Sequence, residues 1–221
     1  MTPTQKYSEE KDGLKNARMA RILEAAFSLF SKHGIDTIAM TDIAKTAEIG
    51  VASLYRYYET KDMIAIKTAV WAWKTQKKNI LPELEKDSYK EKNGLEQLKV
   101  IFSLFGKLLE NQTEFLRFIY FFDSYIIRQK IESDRLCEYE ALIKTVQKLV
   151  FKAIHKGLED GSINSKYTSL ENELYFTLMH TMFSTIQKLS LSGKMLKMNS
   201  LESEKKQIEL LTEILITGLT A

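Results

Sequence analysis

The sequence predicts an all-α protein of about nine helices, with a small three-helix N-terminal domain followed by a larger helical domain. Three observations carry this. Apolar residues recur at three- and four-residue spacing through most of the 221 residues. Two prolines and nine glycines are too few to punctuate the turns of a β-sandwich or barrel. With 44% hydrophobic and 28% charged residues, the chain can bury a core and keep a polar surface. The one cysteine, Cys137, excludes an intrachain disulfide and multi-cysteine zinc motifs, and fits a reducing compartment. The longest apolar stretches are interrupted, as by Asp123 and Arg128, short of the roughly 18–20 residues of a membrane span. Met1 to Glu10 is polar, unlike a signal peptide. A cytoplasmic protein without a membrane partner is expected.

Taken in order, Ile22, Leu23, Ala26, Phe27 and Phe30 make an amphipathic helix from Ala17 to His33, and Gly34 supplies its left-handed stop. Met40, Ile43, Ala44 and Ala47 predict a short helix over Met40 to Ala47. A second follows over Val51 to Tyr58, with Leu54 and Tyr58 inward. A helix from Lys61 carries Ile64, Ile66, Val70, Trp71 and Trp73 and is expected to stop near Pro82. Lys86 to Asn93 is charged and aperiodic, hence a loop. Helices are then predicted over Leu95 to Leu109, Thr113 to about Gln129, and Ser133 to Glu159, the last ended by Asp160-Gly161. Thr168 and Glu171 have the spacing of a capping box that opens a helix stopped near Gly193. The last helix spans about Leu201 to Gly218.

A long helix followed by two short ones across a three-residue turn, Glu48 to Gly50, has the proportions of a helix-turn-helix. A recognition helix needs small or polar residues at its exposed N-terminal end so that its backbone can approach the major groove. Gly50, Val51, Ala52 and Ser53 meet that need. Thr41, Tyr55, Tyr57 and Lys61 are spaced to reach phosphates. Arg56 either reaches a phosphate or solvates the outer face of its helix. Charge alone does not argue for nucleic acid, because residues 1–61 hold nine basic groups against eight acidic ones. Lys11, Lys15 and Arg18 read either as an arm toward DNA or as a solvated terminus.

The stretch from Asp42 to Tyr58 (DIAKTAEIGVASLYRYY), then Thr60-Lys61-Asp62, resembles the DNA-binding module of TetR-type transcriptional regulators. Ile22 to Ala26, Leu29-Phe30 and His33-Gly34 resemble that family's first helix. The likeness runs over roughly residues 15–65. It implies that Thr41, Val51, Ala52, Ser53, Tyr55 and Tyr57 face DNA and that Lys61 meets a phosphate. Two positions depart from the family's habit. Glu48 stands where glycine is common, and a left-handed backbone there costs about 1 kcal/mol or more. Ala39 replaces a capping serine or threonine, forgoing a bond worth roughly 1 kcal/mol.

Beyond the module, eight aromatics fall between Ile101 and Tyr125. They are either an aromatic-filled core or the wall of an apolar pocket between helices. The candidate ligand residues are Phe102, Phe105, Phe118, Phe122, Asp123, Met179 and Phe183. The resemblance implies that the last two helices pair with their copies in a four-helix interface.

The reading is a helix-turn-helix DNA-binding domain over residues 1–62 and a ligand-binding and dimerisation domain over 63–221. The resemblance implies a repressor that binds a palindromic operator as a homodimer and is released by a small hydrophobic ligand. The alternative is a DNA-binding helical interaction protein with no small-molecule inducer. His33, His155 and His180 lack metal-ligand spacing. No catalytic constellation, cofactor motif or metal site is expected.

Overall fold

The computed structural model describes residues 3–192 and 201–220. In chain order its helices are α1 (Pro3–His33), α2 (Met40–Thr46), α3 (Val51–Tyr57), α4 (Lys61–Glu85), α5 (Asp87–Lys90), α6 (Gly94–Asn111), α7 (Thr113–Arg128), α8 (Cys137–Glu159), α9 (Glu171–Ser192) and α10 (Leu201–Leu219). Short 3₁₀ turns at Ser133–Leu136 and Ser165–Leu170 precede α8 and α9. The described residues form no strand, and no helix among them is long and apolar enough to cross a membrane.

Among the described residues there are ten helices where nine are expected. The additional one is α5, one turn inside the segment expected to be a loop, with Asp87 in its first turn and Lys90 in its last, where each charge suits the helix dipole. Pro82 does not stop α4, which runs on to Glu85. Proline forfeits a single bond, to the carbonyl of Lys78. That residue is exposed and only one turn remains, so the loss is tolerated. Thr168 and Glu171 do not form a capping box. Asn164 caps the 3₁₀ turn instead, its side chain accepting from the Lys166 amide at 3.0 Å, and Glu171 opens α9. The long helix predicted from Ser133 begins as a 3₁₀ turn. The first helix reaches back to Pro3, and the predicted stop at Gly193 lies outside the described residues.

The chain divides into two compact units, residues 1–73 with 118–136, and residues 74–117 with 137–221. In the first, Ile22, Ala26 and Phe30 of α1 pack into a core with Ile43 and Ala44 of α2, Leu54 of α3 and Ile64 of α4, all essentially without solvent contact. Phe118 and Phe122 of α7 complete it. The Phe118 ring centre lies 5.3 Å from that of Phe27, 6.4 Å from Phe30 and 6.1 Å from Phe122. Burial of such rings stabilises by about 25 cal/mol per Å² of apolar surface.

The second unit is organised by α6. Asn93 and Glu96 form a capping box at its start, each side chain bonded to the other's backbone N–H. Asp160 and Ser162 supply further acceptors, taking the amides of Gly94 at 2.9 Å and Leu95 at 3.1 Å. Three of the amides left unpaired at any helix start are thereby satisfied. This end packs so closely on α8 that a Cβ on Gly94 would overlap the backbone of Gly157. Gly157 in turn has no room for a Cβ, which would lie 2.5 Å from Ile163 Cδ1. The Lys205–Glu110 ion pair (2.9 Å) joins α10 to α6. The Arg117 guanidinium donates to the Ser190 carbonyl at 2.9 Å.

Candidate nucleic-acid interface

Local chemistry shapes the helix-turn-helix from α2 onward. Ala39 is extended and has no side-chain acceptor, so only the reverse half of a cap exists, with the Ala39 N–H donating to Asp42 Oδ2 at 2.8 Å. The turn after α2 is closed by Glu48 N–H to Lys45 O (3.2 Å) and Ile49 N–H to Ala44 O (3.0 Å). Glu48 takes φ +54°, the left-handed conformation that glycine adopts without strain. Gly50 is extended, and its carbonyl accepts from Ser53 and Leu54 at 2.9 and 3.1 Å to begin α3.

The seven residues of α3 sort by face. Leu54 is 0% exposed and the following Tyr58 2%, whereas Val51 is 38% and Tyr55 48% exposed. Ala52 and Arg56 are exposed too, and Ser53 and Tyr57 half-buried. Arg56 donates to Ser53 Oγ at 3.2 Å, which orients the hydroxyl so that its own proton is left to donate. Thr41 on α2 is exposed. Burial pushes the Tyr58 hydroxyl up to about 12. That oxygen has no hydrogen-bond partner among the described residues.

Lys61 is half-buried at the start of α4 and donates from Nζ to the Asp36 carbonyl at 2.9 Å. Burial lowers its pKa, against the opposing charges of Asp36 and Asp62. Around it runs a polar frame that sequence reasoning missed. The Tyr125 hydroxyl donates to Asp62 Oδ1 at 2.6 Å, and Arg135 reaches Asp62 Oδ2 at 3.1 Å. Arg128 pairs with the Asp36 carboxylate, and Gln129 stands 3.5 Å from it. Burial, then the hydrogen bond to Asp62, raises the Tyr125 pKa well above the ordinary phenol value.

The candidate ligand residues fall in both units. In the first, Phe118 and Phe122 are fully buried in the core around Phe27 and Phe30, and Asp123 is half-buried. In the second, Phe102, Phe105 and Met179 are buried, and Phe105 meets Phe183 edge-on at 5.2 Å. Phe102 also lines a half-open groove of about 700 Å³ between α6 and α10, with Gly106, Ile208 and Ile216 and charges of both signs. Among the described residues no group of three or more His, Cys, Asp or Glu could hold a metal ion.

A short helix with small residues and a hydroxyl on its open face, seated on a three-helix core, defines a helix-turn-helix DNA-binding protein. Residues 22–66 match the profile of bacterial regulatory proteins of the tetR family. That segment is therefore similar to the DNA-binding module of the tetR family of bacterial regulatory proteins. No curated protein matches it in sequence.

Solved structures share the fold. The regulator FadR from Bacillus subtilis in complex with stearoyl-CoA is 16% identical, with a TM-score of 0.66 over 90% of this chain and 98% of that one. A TetR-family regulator from Agrobacterium tumefaciens is 17% identical, with a TM-score of 0.67 over 93% and 99%. A regulator from Saccharomonospora viridis in complex with choline is 17% identical, with a TM-score of 0.64 over 90% and 96%.

Proposed function

We propose that the protein is a homodimeric repressor that binds a palindromic operator and leaves it when a small hydrophobic molecule binds. The observation that carries the reading is the face of α3, where Val51, Ala52 and Tyr55 are exposed while Leu54 and Tyr58 anchor the helix. Residues 1–62 act as the DNA-binding segment and 63–221 as the sensing and pairing segment. Thr41, Gly50, Val51, Ala52, Ser53, Tyr55, Arg56, Tyr57 and Lys61 form the DNA surface.

Pairing is supported by exposed apolar side chains on the last two helices, Phe176 of α9 and Leu210 and Ile214 of α10, the latter two 57% and 58% exposed. Such a surface suits self-complementary packing about a two-fold axis. The axis sets two recognition helices one turn of DNA apart, about 34 Å, and ligand lowers affinity by changing that spacing.

Stearoyl-CoA and choline are the ligands of two structural relatives. They support a small-molecule signal here without fixing its identity. The aromatic side chains of α6 and α9 in the second unit, with Phe105 edge-on to Phe183, favour a large neutral or cationic hydrophobic compound, since rings reward both apolar contact and cations. The test is a footprint on DNA flanking the coding gene, with and without hydrophobic compounds. Two-fold symmetric protection lost on adding such a compound is expected. No protection, or release by a hydrophilic metabolite alone, would refute the reading.

A further inference from the structure

α1 begins at Pro3, well before residue 22, where the match to the family starts. From Gly13 to Arg18 every residue of this extension is exposed, and nothing lies near Gly13. An overhanging helix without packing is marginal in water. This one has a glycine in its interior and no acidic residue in its first turn, so neither propensity nor dipole supports it.

Its register shows an order that net charge conceals. At 3.6 residues per turn, Lys15, Arg18 and Ile22 fall within about 60° of one another. Ile22 and the neighbouring Ala25 and Ala26 are the buried face of α1. The row formed by Lys15 and Arg18 therefore continues, past the edge of the core, on the side where α1 packs onto the helix-turn-helix. Glu24 lies on the opposite side of the helix. Lys15 and Arg18 are both exposed. A rise of 1.5 Å per residue puts Lys15 about 10 Å beyond Ile22 along the axis.

We infer that the α1 extension is a second DNA contact, in which Lys15 and Arg18 bind backbone phosphates beyond the bases read by α3. The inference rests on the DNA-binding reading above. It adds affinity without sequence information, as phosphate contacts do.

Each neutralised phosphate contributes about 0.9 to the slope of log affinity against log salt. The Lys15→Gln/Arg18→Gln chain removes up to two contacts per head. Titration of a mixed-sequence duplex of about 40 base pairs over a salt series should therefore give a slope shallower by roughly 3–4 for a dimer. Arg18→Lys should keep the wild-type slope, because the charge remains. Lys144→Gln/Lys148→Gln, equal in charge change but on α8, should also keep it. An unchanged slope in the α1 double variant overturns the inference alone, as does an equal loss in the α8 control. Absence of any duplex binding by the unaltered chain overturns the DNA-binding reading as well.

Discussion

At Glu48 the backbone adopts φ +54° with a residue that carries a Cβ. The strain is local and has a direct test. Glu48→Gly should stabilise the protein by about 1 kcal/mol, less the extra flexibility glycine adds to the unfolded chain. A higher urea midpoint with unchanged slope is expected, and a lower midpoint would contradict it. This position was legible in the sequence because the turn lies between two helices only three residues apart. The frame around Lys61 was not. Asp62 meets Tyr125 across 63 positions and Asp36 meets Arg128 across 92, and no local period encodes such pairs. Tyr125 gives a pH signature. Its pKa is raised on folding, so its contribution is intact below the free phenol value near 10 and is lost as pH rises through the higher folded value. Tyr125→Phe should therefore flatten part of the alkaline loss of stability in thermal unfolding followed from pH 8 upward. On α3, Val51 and Ala52 offer methyl groups and no bidentate donor, so thymine methyls should carry much of the base discrimination. Replacing operator thymines by uracil should weaken binding. Indifference to uracil together with strict dependence on guanine would shift the role to Arg56.

Helices were read well wherever one apolar face met a core, as in α1, α6 and α7. Their ends were read less well, since ends depend on partners elsewhere in the chain. α6 shows why. Its start is fixed by Asp160 and Ser162 and by the contact of Gly94 with Gly157, more than sixty residues away. Read locally, Asp160-Gly161 marks only the end of α8, and its second task as a cap for α6 leaves no local signal. Gly94→Ala forces two backbones apart and should cost at least about 3 kcal/mol, at the upper end of overpacking penalties. Gly13→Ala is in open space on an exposed helix and should instead stabilise by up to about 1 kcal/mol. Chemical denaturation of the two variants side by side checks both signs. α5 and the 3₁₀ turn before α9 escaped sequence reading because single turns carry no period.

For the whole molecule, the sequence predicted the helical class and the DNA-binding module, because periodicity and a contiguous motif are both local. The partition of the aromatic residues was not legible. One run of sequence, Ile101 to Tyr125, supplies Phe102 and Phe105 to one compact unit and Phe118 and Phe122 to the other. Phe118→Ala should thus lower stability by about 3–5 kcal/mol, as for other buried phenylalanines. Pairing through α9 and α10 predicts that Ile214→Glu leaves the monomer folded and separates the dimer, because an exposed apolar contact becomes a charge facing its own copy. Sedimentation should report a single chain's mass and operator affinity should collapse. A folded dimer with full affinity would place the interface elsewhere.

The first unit is assembled from two separated stretches, and that bears on its birth at the ribosome. Phe27 and Phe30 emerge long before Phe118, and Asp62 before Tyr125 and Arg135. At roughly 5–20 residues per second, the nascent helix-turn-helix waits for several seconds with its aromatic side uncovered. During that interval it is a client for chaperones, and a message truncated after codon 73 would yield a product suited to aggregation or degradation rather than a free-standing DNA-binding fragment.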